Sequence, residues 1–293
     1  MIPRPGGPLH WPAVPSVSPD WSTLRTWPLV VLEALRDGGV ARIVLNRPDK
    51  RNALNEALVQ GVLEALEVVR ADPSLRVVVT RGAGSVYSSG LDLHYLRAAS
   101  AREPGDWDRP TTTVQLFRAV RSFPRVTIAQ VHGYCLGGAL ALMNSHDLVV
   151  AGRTAQIGMP EILRGSFGQM ATSTLYHAGI PAKKAALIQL TGENLTGELA
   201  DRLGLVSMAV DDEQLEDATT RLAQQIASRH PAALATAKIA AQMGRELPLE
   251  QAMQLDRLLG GWQRLAVDPL ADVSGYLESQ RGGTNLDYRR ADT

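Results

Sequence analysis

Two short apolar strands, each running straight into a glycine-containing turn, constrain this chain of 293 residues more than any other feature. Residues 75–80 (LRVVVT) lead into SVYSSGLDL, and residues 126–131 (VTIAQV) lead into HGYCLGGALAL. Wholly apolar runs of this length suit strands buried on both faces, as in a parallel sheet covered by helices. Upstream, VVLEAL and VARIVLN flank Asp37-Gly38-Gly39, which is hairpin chemistry. Leu58, Val62, Leu66 and Val69 then recur at helical spacing before the first buried strand, so a strand–helix–strand crossover is expected.

The same cycle repeats downstream. A helix from about Leu93, a polar break at 100–110 and a helix over 111–122 precede the second strand. A buried helix over Gly137 to Ser145 and the strand DLVVA follow it, and this alternation predicts an α/β core. From about residue 172 nearly everything reads as helical, including 212–229, 232–244 and 249–265. Residues 1–28 differ: they hold seven of the 17 prolines and three of the five tryptophans (Trp11, Trp21, Trp27), without helical or strand period. They read as an extended arm, packed on its own domain or laid on a neighbouring subunit. The expected division is an extension over 1–28, a core over 29–210, a helical region over 211–282 and a tail over 283–293.

Composition excludes several classes of function. Lys plus Arg number 30 and Asp plus Glu number 30, so no net field draws in nucleic acid or an anionic membrane. No stretch reads as a signal peptide or as a spanning helix. Cys135 is the single cysteine and fits a reducing compartment, with the cytoplasm as the default. The histidines show no metal-ligand spacing such as H-E-x-x-H, so no metal site is expected.

Each glycine turn can present a bare backbone N–H, and a helix that starts there adds its positive dipole end. Taken singly, either turn reads equally well as a tight structural turn. The third element is GMPEILRG, in which Glu161 follows a proline at a strand end and is the best candidate proton carrier. Asp92 sits where a helix begins and reads as its cap, and Asp147 reads as structural. His94, Tyr95 and Tyr87 flank the first turn, within reach of a substrate or packed away.

Together NRPDKRNALN, YSSGLDL, HGYCLGG and GMPEILRG resemble, in type, order and spacing, the four signatures of the crotonase (enoyl-CoA hydratase/isomerase) superfamily. The resemblance covers roughly residues 29–282. It implies a crotonase-like ββα spiral core with a C-terminal helical region that serves trimerisation, giving a homotrimer or a dimer of trimers. It also implies an acyl-CoA thioester as substrate, of the kind met in fatty acid metabolism, with coenzyme A entering as part of the substrate and no permanently bound cofactor. The thioester oxygen would accept hydrogen bonds from the N–H groups of Leu91 and Gly138, flanked by Gly90 and Gly137. Glu161 would act as general acid/base, Ser89 and Leu93 would line the pantetheine path, and Lys50 would meet the CoA nucleotide.

Departures from the family pattern narrow the chemistry. Hydratases of this family use two glutamates, and Ala141 stands where the first would be. A single glutamate suits double-bond isomerisation or a one-glutamate hydration. The stretch RELPLEQA and the segment after Glu161 look like the hydratase-lyases that cleave feruloyl-CoA, but Ala141 replaces their serine and Leu255 falls near their tyrosine. Other fates of the same enolate are hydrolysis or decarboxylation, and a catalytically silent subunit is a further reading. GSFGQMATST replaces the family's Pro-Gly-x-Gly-Gly turn, and Gln169 lies where related dienoyl-CoA isomerases carry a second acid. An amide there can orient a substrate or water, or bond to backbone, but cannot act as a base.

Overall fold

The computed structural model describes residues 20–35, 38–100 and 111–266. The antiparallel pair β2 (Val30–Leu35) and β3 (Val40–Leu45) forms the expected hairpin, although Asp37 lies outside the described residues. Helix α1 (Glu56–Ala71) buries Leu58, Val62, Leu66 and Val69 and carries the chain to β4 (Val77–Gly82), which pairs parallel with β3. Helices α2 (Leu93–Ser100) and α3 (Thr112–Arg121) lead to β5 (Val126–Val131), parallel to β4. Then come β6 (Tyr134–Leu136), α4 (Gly138–Asn144) and β7 (Leu148–Gly152), the last parallel to β5. The polar break at 101–110 lies outside the described residues.

One face of the sheet carries Val40, Val77, Val79, Ile128 and Val150; the other carries Ala41, Ile43, Val78, Ala129 and Val149. Both faces are buried, which is why these strands read as unbroken apolar runs. The first face packs on Leu215, Ala223 and Ala227 of α8 (Leu215–Ala227), the second on α1, α3 and α4.

Two parts of the expected organisation are corrected. Residues 21–27, read as part of the extended arm, form β1 (Trp21–Trp27), an antiparallel edge strand of the same sheet. Its tryptophans do anchor it, but to this chain. Trp21 lies over the Arg42 guanidinium at 4.0 Å, and Trp27 Nε1 donates to Glu64 at 2.8 Å. Strand pairing supplied a partner that period alone did not reveal. Residues 1–19 of the arm lie outside the described residues.

The C-terminal third is also less uniformly helical than expected. Strand β8 (Gln156–Gly158) pairs with β6 and with β9 (Leu195–Thr196) in a three-stranded sheet. Strand β10 (Met208–Val210) completes a seven-stranded sheet of order β1-β2-β3-β4-β5-β7-β10. Segments of two or three residues are too short to show a period of two. Helices α5 (Gln169–Tyr176), α6 (Ala182–Thr191), α7 (Gly197–Arg202), α9 (Pro231–Gly244) and α10 (Leu249–Ala266) make up the rest; residues 267–293 lie outside the described set.

A nearly buried ion pair fastens α9 to the core. Lys238 Nζ donates to Asp147 Oδ2 at 2.7 Å and to the Arg125 carbonyl at 2.9 Å, while Asp147 accepts from the Thr127 N–H and hydroxyl. Asp147 is therefore structural, as its position suggested. Stranding one partner of such a pair costs about 3 kcal/mol or more. Lys238→Met should lower unfolding stability by that amount in urea titration. Adding Asp147→Asn should recover part of the loss, because asparagine still accepts from Thr127.

Candidate active site

The first two motifs follow the C-terminal ends of β4 and β5, and the third follows β8, the short strand reached from the C-terminal end of β7; β4, β5 and β7 are consecutive parallel neighbours. Parallel pairing puts those ends on one edge of the sheet, the usual site of ligand crevices in α/β folds. Hydrogen bonds then draw the loops together. The Ser88 N–H donates to the Tyr134 carbonyl at 3.0 Å, and the Leu136 N–H to the Ser88 carbonyl at 3.3 Å.

Asn52, within NRPDKRNALN, is the hub beneath the first turn. It is wholly buried in a left-handed conformation, φ 52°. Its Oδ1 accepts from the Arg47 N–H at 2.9 Å, its Nδ2 donates to the carbonyls of Ala83 and Val86, and its carbonyl accepts from Ser88 Oγ at 2.8 Å. Ser88 Oγ in turn accepts from the Gly90 N–H at 3.2 Å. The sequence reading flagged this motif but named only Lys50 within it. An asparagine at the end of a turn, where left-handed backbone is tolerated, was the available signal.

Two amides converge from this scaffold. Leu54 forms a parallel bridge with Leu91, in which the Leu54 N–H donates to the Gly90 carbonyl and the Asp92 N–H to the Leu54 carbonyl. In that pattern the bonds belong to the residues flanking Leu91, so its own N–H points away from the bridge. Gly138 opens α4, where a first-turn N–H has no partner within the helix. A methyl group built on Gly138 would lie 3.3 Å from the Leu91 nitrogen, and one built on Gly90 would lie 3.3 Å from the Gly138 nitrogen. Both amides therefore border the same small space. Gly90 and Gly137, with φ of 95° and 54°, have backbones that residues with a Cβ rarely adopt.

Glu161 completes the cluster. It lies in the 3-10 turn Pro160–Arg164 after β8, and its Oε1 faces Gly137 so closely that a Cβ there would overlap it. Gly168, in the segment that departs from the family turn, packs on the other side: a methyl there would meet the carboxyl carbon at 3.1 Å. Glu161 Oε2 is buried and has no hydrogen-bond partner among the described residues. Burial raises the Glu161 pKa above its usual value, opposed more weakly by its own backbone N–H and by Arg164. A half-desolvated carboxylate beside two free N–H groups can exchange a proton with a carbon acid whose developing oxyanion those amides hold.

The other candidates divide. Ser89 is half-buried and its N–H is tied to the Arg51 carbonyl. Lys50 and Leu93 are exposed, and Gln169 is exposed at the first turn of α5. Ala141 is wholly buried in α4. Asp92 caps α2, accepting from the N–H groups of His94 and Tyr95, and also pairs with Arg47 at 2.7 Å. Arg47, Asp92, His94 and Tyr95 line a surface cavity of about 650 Å³ beside the first turn. Of the two readings open for Tyr87, the structure shows the packed one: it is 0 % exposed, in the core.

An α/β core that brings two neighbouring backbone amides and a half-buried carboxylate to one edge of its sheet has the architecture of the crotonase class. Residues 35–261 match the enoyl-CoA hydratase/isomerase family, and the chain belongs to it. It is 30 % identical to a hydroxycinnamoyl-CoA hydratase-lyase of Pseudomonas fluorescens, over 77 % of this chain and 82 % of that protein. It is 31 % identical to a 2,3-dehydroadipyl-CoA hydratase of Escherichia coli, over 84 % of this chain and 94 % of the relative. An enoyl-CoA hydratase structure from Mycobacterium smegmatis superposes with a TM-score of 0.80 at 28 % identity, covering 86 % and 97 % of the two chains.

Gly137→Ala should fold less stably and lose at least about a hundredfold in turnover, because the new methyl must displace the Glu161 carboxylate and the left-handed turn together. Steady-state kinetics with a turned-over acyl-CoA, alongside thermal melting, checks this.

Proposed function

We propose that this chain binds an acyl-CoA thioester, holds its enolate oxygen on the N–H groups of Leu91 and Gly138, and moves a proton with Glu161. The observation that carries the reading is the Glu161 carboxylate, which lies against Gly137, next to one of those amides, and keeps one buried oxygen unpartnered among the described residues. An α-proton of a thioester becomes removable when preorganised donors meet the enolate, each worth ~3 kcal/mol away from water. The route needs no metal or redox cofactor, since the amides carry the developing charge and the carboxylate carries the proton. Lys50 would meet the nucleotide phosphates, and Ser89 and Leu93 the pantetheine arm. Gln169 would orient substrate or water near Glu161.

Ala141 leaves the site with one carboxylate, so the favoured outcomes are double-bond migration and one-glutamate hydration. In the first, Glu161 takes a proton from one carbon, the double bond shifts through the dienolate, and the same proton returns to the other carbon. Cleavage of a C–C bond is the second reading, favoured by the similarity to the hydroxycinnamoyl-CoA hydratase-lyase. Exchange of the α-proton in deuterated water without net product supports isomerase chemistry, an aldehyde product supports cleavage, and free CoA release supports hydrolysis. The compartment we favour is the cytoplasm, on the strength of one wholly buried, unpaired cysteine.

Glu161→Gln should lower turnover ~10²–10⁴-fold while leaving the affinity for a CoA ester nearly unchanged. The wild-type rate should rise with pH through a limb above the usual glutamate range, because the base must be ionised and burial opposes ionisation. A raised carboxylate pKa means that ionisation at neutral pH works against the fold. Glu161→Gln should therefore melt no lower than wild type at pH 7. A rate unchanged by this substitution would sink the reading.

We also infer assembly as a homotrimer or a dimer of trimers through the C-terminal helices. Leu258 and Trp262 lie one turn apart on α10 and are 72 % and 51 % exposed, beside exposed Met253 and Leu265. Light scattering should give three or six copies at micromolar concentration; a monomer would contradict this.

A further inference from the structure

Three buried polar side chains outside the proposed chemistry form one continuous chain. Tyr87 precedes the first glycine turn, Thr80 lies on the central strand β4, and His146 follows the C-terminal end of α4. Tyr87 and Thr80 are 0 % and 2 % exposed and His146 is 8 % exposed. The Thr80 hydroxyl lies 3.0 Å from the Tyr87 hydroxyl and 2.9 Å from His146 Nε2, and His146 Nδ1 lies 2.8 Å from the Leu142 carbonyl.

The direction of every bond follows from donor and acceptor inventory. The Leu142 carbonyl can only accept, so His146 Nδ1 carries a proton. Burial holds the imidazole neutral, pushing its pKa down to about 4, so Nε2 is bare and accepts. Thr80 must then donate to Nε2, and its oxygen accepts from the Tyr87 O–H. All three donors are used in a single arrangement, and among the described residues none of these atoms is left buried and unpaired.

We propose that this Tyr87–Thr80–His146 chain is a positioning device that sets the spacing of the Leu91 and Gly138 N–H groups. The proposal rests on the role given to those amides above. Tyr87 lies four residues before Leu91, and His146 terminates the helix that Gly138 begins. Near the site, backbone bonds between Ser88 and β6 already join the two segments. Among the described residues, the side-chain bonds that join their far ends both run through Thr80. Helix α4 is about 10 Å long at 1.5 Å per residue, so a tilt of a few degrees at its far end shifts the Gly138 amide by roughly 0.5 Å. That displacement is about the tolerance of a preorganised donor pair. Tyr87, Thr80 and His146 touch no substrate; they act through the two amides.

Acetoacetyl-CoA tests this, because its bound enolate is visible in the near ultraviolet and its apparent pKa on the enzyme reports how well the amides hold the oxyanion. Wild type should lower that pKa relative to free acetoacetyl-CoA. Thr80→Val should raise it back by about one unit, a tenfold loss of enolate, with affinity for butyryl-CoA, a much weaker carbon acid that binds with no measurable enolate population, unchanged within about threefold. Thr80→Ser should restore the wild-type value, because it returns the hydroxyl. Should Thr80→Val fail to fold, Tyr87→Phe strands no donor and should shift the same pKa in the same direction. A folded Thr80→Val or Tyr87→Phe with the wild-type enolate pKa, or a folded Thr80→Ser that behaves like valine, overturns the positioning role. A wild-type protein that binds acetoacetyl-CoA without lowering its pKa overturns the enolate reading itself, and the positioning role with it.

Discussion

The parallel pairing of β4, β5 and β7 is the constraint on which the rest of this molecule depends. Each strand ends on the same edge of the sheet, and each hands the chain to one part of the candidate site. The first supplies the loop with Leu91, the second the turn with Gly138, and the third the segment with Glu161. Residues about 20 to 70 positions apart are thereby brought close together, and the cost of ordering them is met by burial on both sheet faces. Shifting any one strand by a residue would turn its apolar side chains over and withdraw its loop from the others.

Within that frame the site is built from backbone more than from side chains. Asn52 satisfies buried carbonyls that the first turn leaves exposed, and its carbonyl holds Ser88, which in turn holds Gly90. The glycines at 90 and 137 permit backbone conformations that set the amides of Leu91 and Gly138 at the border of one small space. Glu161 is the exception, a side chain whose chemistry comes from its surroundings. Two glycines close on its carboxylate and one of its oxygens is left unpartnered, which explains a proton affinity above that of an exposed glutamate. A sheet that merely needed tight turns would have no use for a half-buried carboxylate with an unpartnered oxygen beside them.

Membership of the enoyl-CoA hydratase/isomerase family accounts for the arrangement without naming the acyl group. Ala141 is buried among apolar neighbours, so the second carboxylate of a two-glutamate hydratase has no equivalent at that position. The walls around Glu161 include the GSFGQ segment, where Gly168 packs on the carboxylate.

The sequence by itself determined the elements. Apolar runs in LRVVVT and VTIAQV, helical spacing from Leu58 to Val69 and glycines at the turns all act through local geometry, and so they were legible. The order of the four motifs also identified the candidate amides and the glutamate. Only the tertiary structure decided which groups meet. Residues 21–27 became a strand because β2 offered an open edge, and β10 became one because β7 did. Asn52 became a hub and Tyr87 turned inward to Thr80 because partners distant in sequence received their polar atoms. Glu161 acquired its raised proton affinity from burial in the folded chain, where Gly137 and Gly168 approach its carboxylate. Those contacts depend on strand pairing across tens of residues, and no periodicity along the chain records them.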